Sequence, residues 1–242
     1  SEFFDERGLL KYDELKRFVQ HLNLDHQIFN NLKVGMVLNF NSSTQQRRNT
    51  SFWNLIKNSP LGEPYEADGS IKTYPFPGNL TYNPLLDEDP ANYNNETSSS
   101  RIFMLGYADW NILKDLSLRS SFNVDMFNSQ QGIFEGKNTT LAGVNSGYSR
   151  SALIDQRNRN WTWENVLNYN KTIKDHTLNT MIGTSMISYR TVNFSAEGKD
   201  QPFSSALFYN LGTNTRDIIT NSNLTESSLA SFFGRVNYKF KD

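Results

Sequence analysis

Hydrophobic side chains occupy every second position in several separate stretches of the chain. In 32–40, Leu32, Val34, Met36, Leu38 and Phe40 alternate with Lys33, Gly35, Val37 and Asn39. A period of two is typical of a β-strand with one apolar and one polar face. The same pattern recurs at 116–126, 178–186 and 230–240, and further strands are predicted at 15–26, 101–110 and 159–169. About seven strands are therefore expected, and the facing of 101–110 stays open because it is apolar on both parities.

Short and long connections alternate between these predicted strands. The short ones are 26–31, 111–115 and 171–175, and the long ones have roughly 55, 30 and 35 residues at our boundaries. Compact soluble domains rarely contain several long irregular loops. An outer-membrane β-barrel has short periplasmic turns and long external loops. The strands predicted here, of about ten to twelve residues, also match the length of a tilted membrane-spanning strand.

The apolar parity of these strands is predicted to face lipid and the polar parity a wet interior. Aromatic residues at strand ends, Phe40, Trp110, Trp161 and Tyr169, are placed where interfacial girdles are expected. The lipid-facing set is Val34, Met36, Leu38, Leu118, Phe122 and Val124. The lumen-facing set is Lys33, Asn39, Arg119 and Asp125. Arg119 and Asp125 are predicted either to line the transport route or contact a plug, or to pair with other lumenal charges.

Composition narrows the class of protein further. The 242 residues carry a net charge of -1, so no basic field is present to attract nucleic acid. There is no cysteine, which excludes disulfides, thiolate metal sites and a cysteine nucleophile. Mean hydropathy is -0.61, and no apolar run is long enough for a spanning helix. The N-terminal residues do not have the pattern of a signal peptide, so the chain is interpreted as either not exported or an internal or processed piece.

Three stretches carry a resemblance to a known family: "LKRFVQHLNLDHQIFNNLKVGMVLNFNSS", "WTWENVLNYNKTIKDHTLNTMIGTSM" and "SLASFFGRVNYKFKD". They resemble barrel segments of the SusC/RagA family of TonB-dependent outer-membrane transporters of Bacteroidetes. The third is the most specific, because residues 233–238 match a family strand that reads like "SxFGRVNYxYKD". The resemblance runs in register from Phe4 to Asp242, and it is weakest in the long loops.

The resemblance implies that residues 1–242 are a partial, antiparallel transmembrane β-barrel domain. Family members have a barrel of 22 strands, a plug and an N-terminal region, and we expect the plug, that region and the remaining strands to lie outside this sequence. The first residues, around "FDERGLLKYDE", are then expected in an outer loop. The implied function is active import of an oligosaccharide or peptide across the outer membrane, driven by TonB acting on the plug, with a SusD-like surface lipoprotein as partner.

Candidate chemistry is sparse, and no enzyme activity is expected. His21, His26 and His176 do not have the spacing of a zinc site. The run "DEDPANYNNE" (87–96) offers oxygen ligands for calcium without the pattern of an EF-hand, and a solvated acidic loop is the favoured interpretation. We therefore expect no cofactor.

Aromatic residues in the predicted loop 44–100 are the candidates for substrate binding. Rings beside polar groups suit sugars or peptides, because a ring face packs on C–H surface while its neighbours bind hydroxyls. The alternative is that the rings pin the loop to its surroundings. The candidates are Trp53, Tyr65, Tyr74 and Tyr82.

Two other architectures remain open on the sequence. One is a secreted, soluble all-β glycan-binding module, in which the apolar faces would form a core. The other is a small self-contained barrel, which is disfavoured by an odd number of strands.

Overall fold

The chain forms one antiparallel sheet in which each strand pairs with its neighbours in sequence. The computed structural model describes residues 1–49, 56–78 and 80–241. The strands are β1 (Glu2–Arg7), β2 (Glu14–Phe29), β3 (Leu32–Gln46), β4 (Tyr93–Leu113), β5 (Leu116–Glu135), β6 (Arg150–Ile173), β7 (His176–Lys199) and β8 (Arg216–Phe240). Short 3₁₀ helices lie at Pro84–Asp87, Ser204–Ala206 and Leu211–Thr213. Within the described ranges, no helix is long and apolar enough to span a membrane.

The all-β antiparallel fold and the seven predicted strands are confirmed, with two corrections. An eighth strand, β1, occupies the segment that was expected to lie in an outer loop. The strands β2 to β8 are also longer than predicted, with 15 to 25 residues. Their extensions, such as "NSQQ" in β5, are polar on both faces, so they pair through the backbone without an alternating signal.

The longer strands shorten every long loop. At one end of the sheet the connections are 47–92, 136–149 and 200–215, together with the six-residue connection 8–13 between β1 and β2. At the other end are two-residue turns at 30–31, 114–115 and 174–175. Alternation of short and long connections is therefore confirmed, whereas the expected loop lengths were too large. We call the end with the long loops the loop end.

The sheet is open. In the described residues β1 and β8 are its two edges and do not pair with each other. An even number of strands is present, so the odd-count argument against a small barrel was wrong, but the open edges themselves exclude closure. Since unpaired backbone groups are costly in hydrocarbon, such a sheet needs further strands if it lies in a membrane.

The register places all the predicted lipid-facing residues on one face. Val34, Met36 and Leu38 pair with Ala108, Gly106 and Met104, which pair in turn with Ser120, Phe122 and Val124. This settles the facing of β4, where even positions share this face and Phe103, Leu105 and Tyr107 lie on the other. Lys33, Asn39, Arg119 and Asp125 all lie on that opposite face, which we call the polar face.

The first face carries a continuous apolar band, in which alternate residues of nine-residue stretches are mostly apolar. These stretches are 32–40, 102–110, 118–126, 161–169, 178–186 and 232–240 in β3 to β8. Phe40, Trp110, Trp161 and Tyr169 all belong to it. Band residues are half-buried or exposed, up to 82% for Phe232 on the edge strand β8, because no second layer packs on them in the described residues.

The band descends across the sheet together with the short turns. Through successive partners, Leu32 is level with Gly234 of β8. The band starts at Leu32 in β3, whereas in β8 it continues six residues past that level, to Phe240, because the turn at 174–175 also lies lower than the turn at 30–31. Tilted barrel strands are staggered in this way, so a band of constant height crosses the hydrogen-bond ladder obliquely.

Candidate functional site

The long loops and the adjoining strand ends pack into a structure that we call the loop cap. It contains every buried apolar residue among those described: Leu86, Tyr93, Phe134, Ala142, Ala152 and Phe208. Phe134, near the end of β5, is fully buried. The core of the described structure therefore lies in the cap and not beneath the sheet.

A buried carboxylate joins two of these loops. Asp87 is 3% exposed and accepts hydrogen bonds from the backbone N–H and hydroxyl of Thr140, at 2.8 and 2.5 Å. The Asn49 amide donates to the same carboxylate at 2.8 Å. Burial raises the pKa of Asp87, and the hydrogen bonds from Thr140 oppose that effect. The expectation of a solvated acidic loop is therefore wrong for Asp87.

Loop 200–215 packs on the strand ends of β5 to β7. The ring of Phe208 covers Gly132, where a Cβ atom would lie 2.2 Å from the ring, so this close approach requires glycine. The Asn214 amide donates to the Ser151 hydroxyl at 2.8 Å, and both residues are buried. Gly132 and Ser151 lie on the same face as the apolar band, so this loop folds over that face of the sheet.

A second carboxylate links loop 200–215 to loop 136–149. Asp200 lies 3.1 Å from the Lys137 ammonium and 3.3 Å from the Arg216 guanidinium, and the Thr215 hydroxyl donates to it at 3.0 Å. The bonds from Lys137 and Thr215 lower the pKa of Asp200. The surroundings therefore lower the pKa of Asp200, whereas they raise the pKa of Asp87.

The structure brings two of the four candidate aromatic residues together. Tyr74 and Tyr82 have ring centroids 5.1 Å apart, and a hydrogen bond between them, with burial, raises the pKa of Tyr82. The Tyr82 hydroxyl also faces Gly143 of the neighbouring loop. This contact fits the alternative in which a ring pins the loop, while Tyr74 keeps an exposed surface.

The other two candidates do not join this pair. Tyr65 is 52% exposed and forms a bridge with Ile71, and among the described residues no ring contact links it to Tyr74 or Tyr82. The chain turns back between them at Gly69, whose φ of +84° suits glycine. Trp53 lies outside the described residues. Ligand contact by these side chains remains a prediction.

The polar face carries a network of charges near the short turns. Lys33 lies 3.1 Å from Asp25, which also accepts a hydrogen bond from Tyr107. The Arg119 guanidinium stacks 4.6 Å from the Tyr107 ring and lies 3.4 Å from the Asp109 carboxylate.

Another ion pair lies nearer the loop end of the same face. Arg101 binds Asp125 through two hydrogen bonds of 2.8 and 2.7 Å. The Asn39 amide is hydrogen-bonded to His21. Both Arg119 and Asp125 therefore pair with other charges on the polar face, one of the roles anticipated for them.

Sequence reasoning missed several of these partners. Asp25 was identifiable, because a turn at 30–31 places it diagonally across the hairpin from Lys33. The partners of Asp87 left no such signal, since Thr140 is 53 residues away and lies in a different loop. In the described residues, no group of three or more His, Asp or Glu side chains is placed to hold a metal ion.

Comparison with curated proteins finds two similar receptors from Formosa agariphila. TonB-dependent receptor P26 is 27% identical over 99% of this chain, and TonB-dependent receptor P3 is 26% identical over 99%. The chain spans about a quarter of each relative, 24% and 25% respectively. No protein-family model matches it.

Comparison with solved structures finds the same fold in the RagAB peptide importer. The closed-closed state matches with a TM-score of 0.75 and the open-open state with 0.73, each at 20% identity over 99% of this chain. The chain covers 28% and 27% of those structures. The chain is therefore similar to a barrel segment of SusC/RagA-like TonB-dependent transporters, which confirms the resemblance drawn from the sequence.

Proposed function

We propose that this chain forms part of the wall and several external loops of an outer-membrane importer that depends on TonB. The observation that carries the proposal is the apolar band, which spans nine to eleven residues of each strand from β3 to β8 and descends in step with the short turns. A transmembrane β-strand needs about 9–11 residues. A soluble core has no reason to follow the stagger of the strands, whereas a planar bilayer requires it.

In this proposal the band faces lipid and the polar face lines the lumen. The predicted lipid-facing residues, Val34, Met36, Leu38, Leu118, Phe122 and Val124, all belong to the band. The ion pairs of Arg101 and Arg119 then lie in a wet interior, where their charges remain hydrated or paired. The short turns are periplasmic and the loop cap is external.

The cargo we propose is an oligosaccharide or a peptide, captured with the help of a SusD-like surface lipoprotein. The solved relatives are described as a peptide transporter, and the curated relatives as TonB-dependent receptors. Tyr65 and Tyr74 offer exposed rings at the external end for the C–H surface of either ligand. The plug on which TonB acts would come from the remainder of a polypeptide about four times as long as this chain, which is the length of the curated relatives. No bond is made or broken in this role.

A soluble glycan-binding module accounts less well for the structure. A β-sandwich needs a second sheet on its apolar face. Here the described residues leave Phe122, Ile182 and Phe232 exposed on a single open sheet.

Cysteine labelling tests the proposed orientation directly, because the chain contains no cysteine. Asp68→Cys is at an exposed position in the long loop 47–92, and Lys174→Cys is at an exposed short turn. In intact cells that express the complete protein, a membrane-impermeant maleimide is expected to label the first variant. The second variant should react only after the outer membrane is permeabilised.

Uptake measurements then test the transport function. Cells should accumulate a labelled oligosaccharide or peptide less when the gene is deleted, and equally poorly when TonB is absent. Equal labelling of both cysteine variants in a soluble fraction would instead support the glycan-binding module and refute the membrane proposal.

A further inference from the structure

Three arginines lie on the band-bearing face, on the loop side of the apolar band and within four residues of it. Arg159 and Arg190 are paired across β6 and β7, and Arg157 lies two residues further along β6. In β3 to β5 the equivalent level holds Phe40, Ile102 and Met126. Because the band descends across the sheet, this level is apolar in β3 to β5 and cationic in β6 and β7.

The charges that face these arginines leave an excess of positive charge. Arg157 lies 2.8 Å from Asp155, and Arg190 lies 3.3 Å from Glu226. Arg159 has no carboxylate partner among the described residues, and it donates instead to the Asn128 amide oxygen at 2.8 Å and to backbone carbonyls. Three guanidinium groups thus share two carboxylates, Asp155 and Glu226, on this face of β5 to β8.

Apolar and aromatic surface adjoins the cluster on its band side. Trp161 follows Arg159 two residues along β6 and packs against Phe122, with ring centroids 6.0 Å apart. Met126 pairs directly with Arg159. All three arginines are exposed to solvent. The cationic cluster beside an apolar surface is complementary to an amphiphile with an anionic head and an apolar tail.

We infer that Arg157, Arg159 and Arg190 bind the phosphate of an anionic lipid in the external leaflet of the membrane. The planar guanidinium fork matches the geometry of phosphate oxygens and donates two hydrogen bonds at once. The lipid chains would lie along Trp161 and Met126. A free anion would gain nothing from this apolar surface, so we favour a lipid over inorganic phosphate as the source of the phosphate group. This inference rests on the proposed membrane position of the band.

The inference is tested by native mass spectrometry of the complete receptor with bisphosphorylated lipid A and its dephosphorylated form. The wild-type protein is expected to retain the phosphorylated lipid preferentially. The triple variant Arg157→Gln, Arg159→Gln, Arg190→Gln should lose most of that preference, at about fivefold per arginine. The single variant Arg159→Gln should already weaken the preference about fivefold. Arg101→Gln is its matched control, because it removes one positive charge near the same level on the polar face, and it should keep the preference.

The outcomes separate this inference from the proposed function. Failure of the wild-type protein to enter the outer membrane would refute the membrane proposal. Normal insertion with equal retention of both lipids, or with the same preference in the triple variant, would overturn only the lipid site. Complete displacement of the lipid by millimolar inorganic phosphate would also overturn it, because the site would then bind the anion alone.

Discussion

In the loop cap, side chains bury one another, whereas in the apolar band they contact almost nothing on their outer side. The cap holds Phe134 at 0% exposure and buries the carboxyl group of Asp87 beside its donors. The band leaves Phe122 and Phe232 at 46% and 82% exposure. Both regions are built on the same hydrogen-bonded strands, so backbone pairing does not distinguish them.

The difference indicates that the two regions are stabilised by different surroundings. The cap supplies its own apolar interior and satisfies its buried polar groups with neighbouring loops, as a soluble domain does. The band has no protein layer to cover it, so the surrounding medium decides whether its exposed rings are favourable. In our proposal that medium is lipid.

The largest expected effect is the loss of Phe134 from the cap. Phe134→Ala removes a fully buried ring and should destabilise the cap by about 3–5 kcal/mol, because the vacated space cannot close completely. The decrease in the stability of the cap is measured from the hydrogen exchange of backbone amides at the ends of β5 and β6. Phe203→Ala, which truncates an aromatic residue that is 70% exposed in the same cap, should change protection little. Equal effects of the two variants would contradict the proposed core.

A charge within the band tests the other half of the comparison. Phe122→Arg places a cation on the exposed apolar face and should cost about 2–4 kcal/mol if that face meets the middle of a bilayer. The matched variant Asn123→Arg alters the adjacent residue on the polar face and should be tolerated. The folded fraction in outer-membrane preparations is read from heat-modifiable gel mobility. Equal loss of both variants would argue against a lipid-facing band.

The smallest expected effect is a difference in pH response within the cap. The pKa of Asp200 is lowered, so its stabilising bonds to Lys137, Thr215 and Arg216 are present above the ordinary pKa and lost as the pH falls through the lowered value. The pKa of Asp87 is raised, so its contribution to stability increases as the pH falls from neutrality through that raised value.

Amide exchange between pH 7 and pH 3, corrected for intrinsic rates, measures this difference. Protection of Thr215 should decline below about pH 4, where an aspartate begins to protonate, while protection of Thr140 should not decline in parallel. Asp200→Asn should abolish the pH dependence at Thr215. A parallel decline at both sites in the wild-type protein would show that the two links do not act separately.

Much of the wall was predictable, because each strand carries its own periodic signal. The alternation in 32–40 and 116–126 located β3 and β5 and separated their two faces. The ends of the strands were not predictable from the same signal. Consecutive residues there, such as Ser129 and Gln130, lie on opposite faces and are both polar, and they pair with β4 through their backbone. The first strand was missed for a related reason, since β1 is only six residues long and mostly charged.

The candidate aromatic site was only partly predictable. The loop that contains Tyr74 and Tyr82 stands out by composition, but the composition does not show which of its rings come into contact. The hydrogen bonds from Thr140 to Asp87 join residues of different loops, and no local sequence pattern encodes such a pair.

The sequence by itself determined which residues alternate, and therefore which strands form and which side chains share a face within each strand. This follows because the direction of a side chain in a strand is set by local backbone geometry. Only the tertiary structure decided the register between strands, the descent of the band, the arginines at its edge and the packing of the cap. Those features depend on how distant segments are staggered and brought into contact, which no local periodicity specifies.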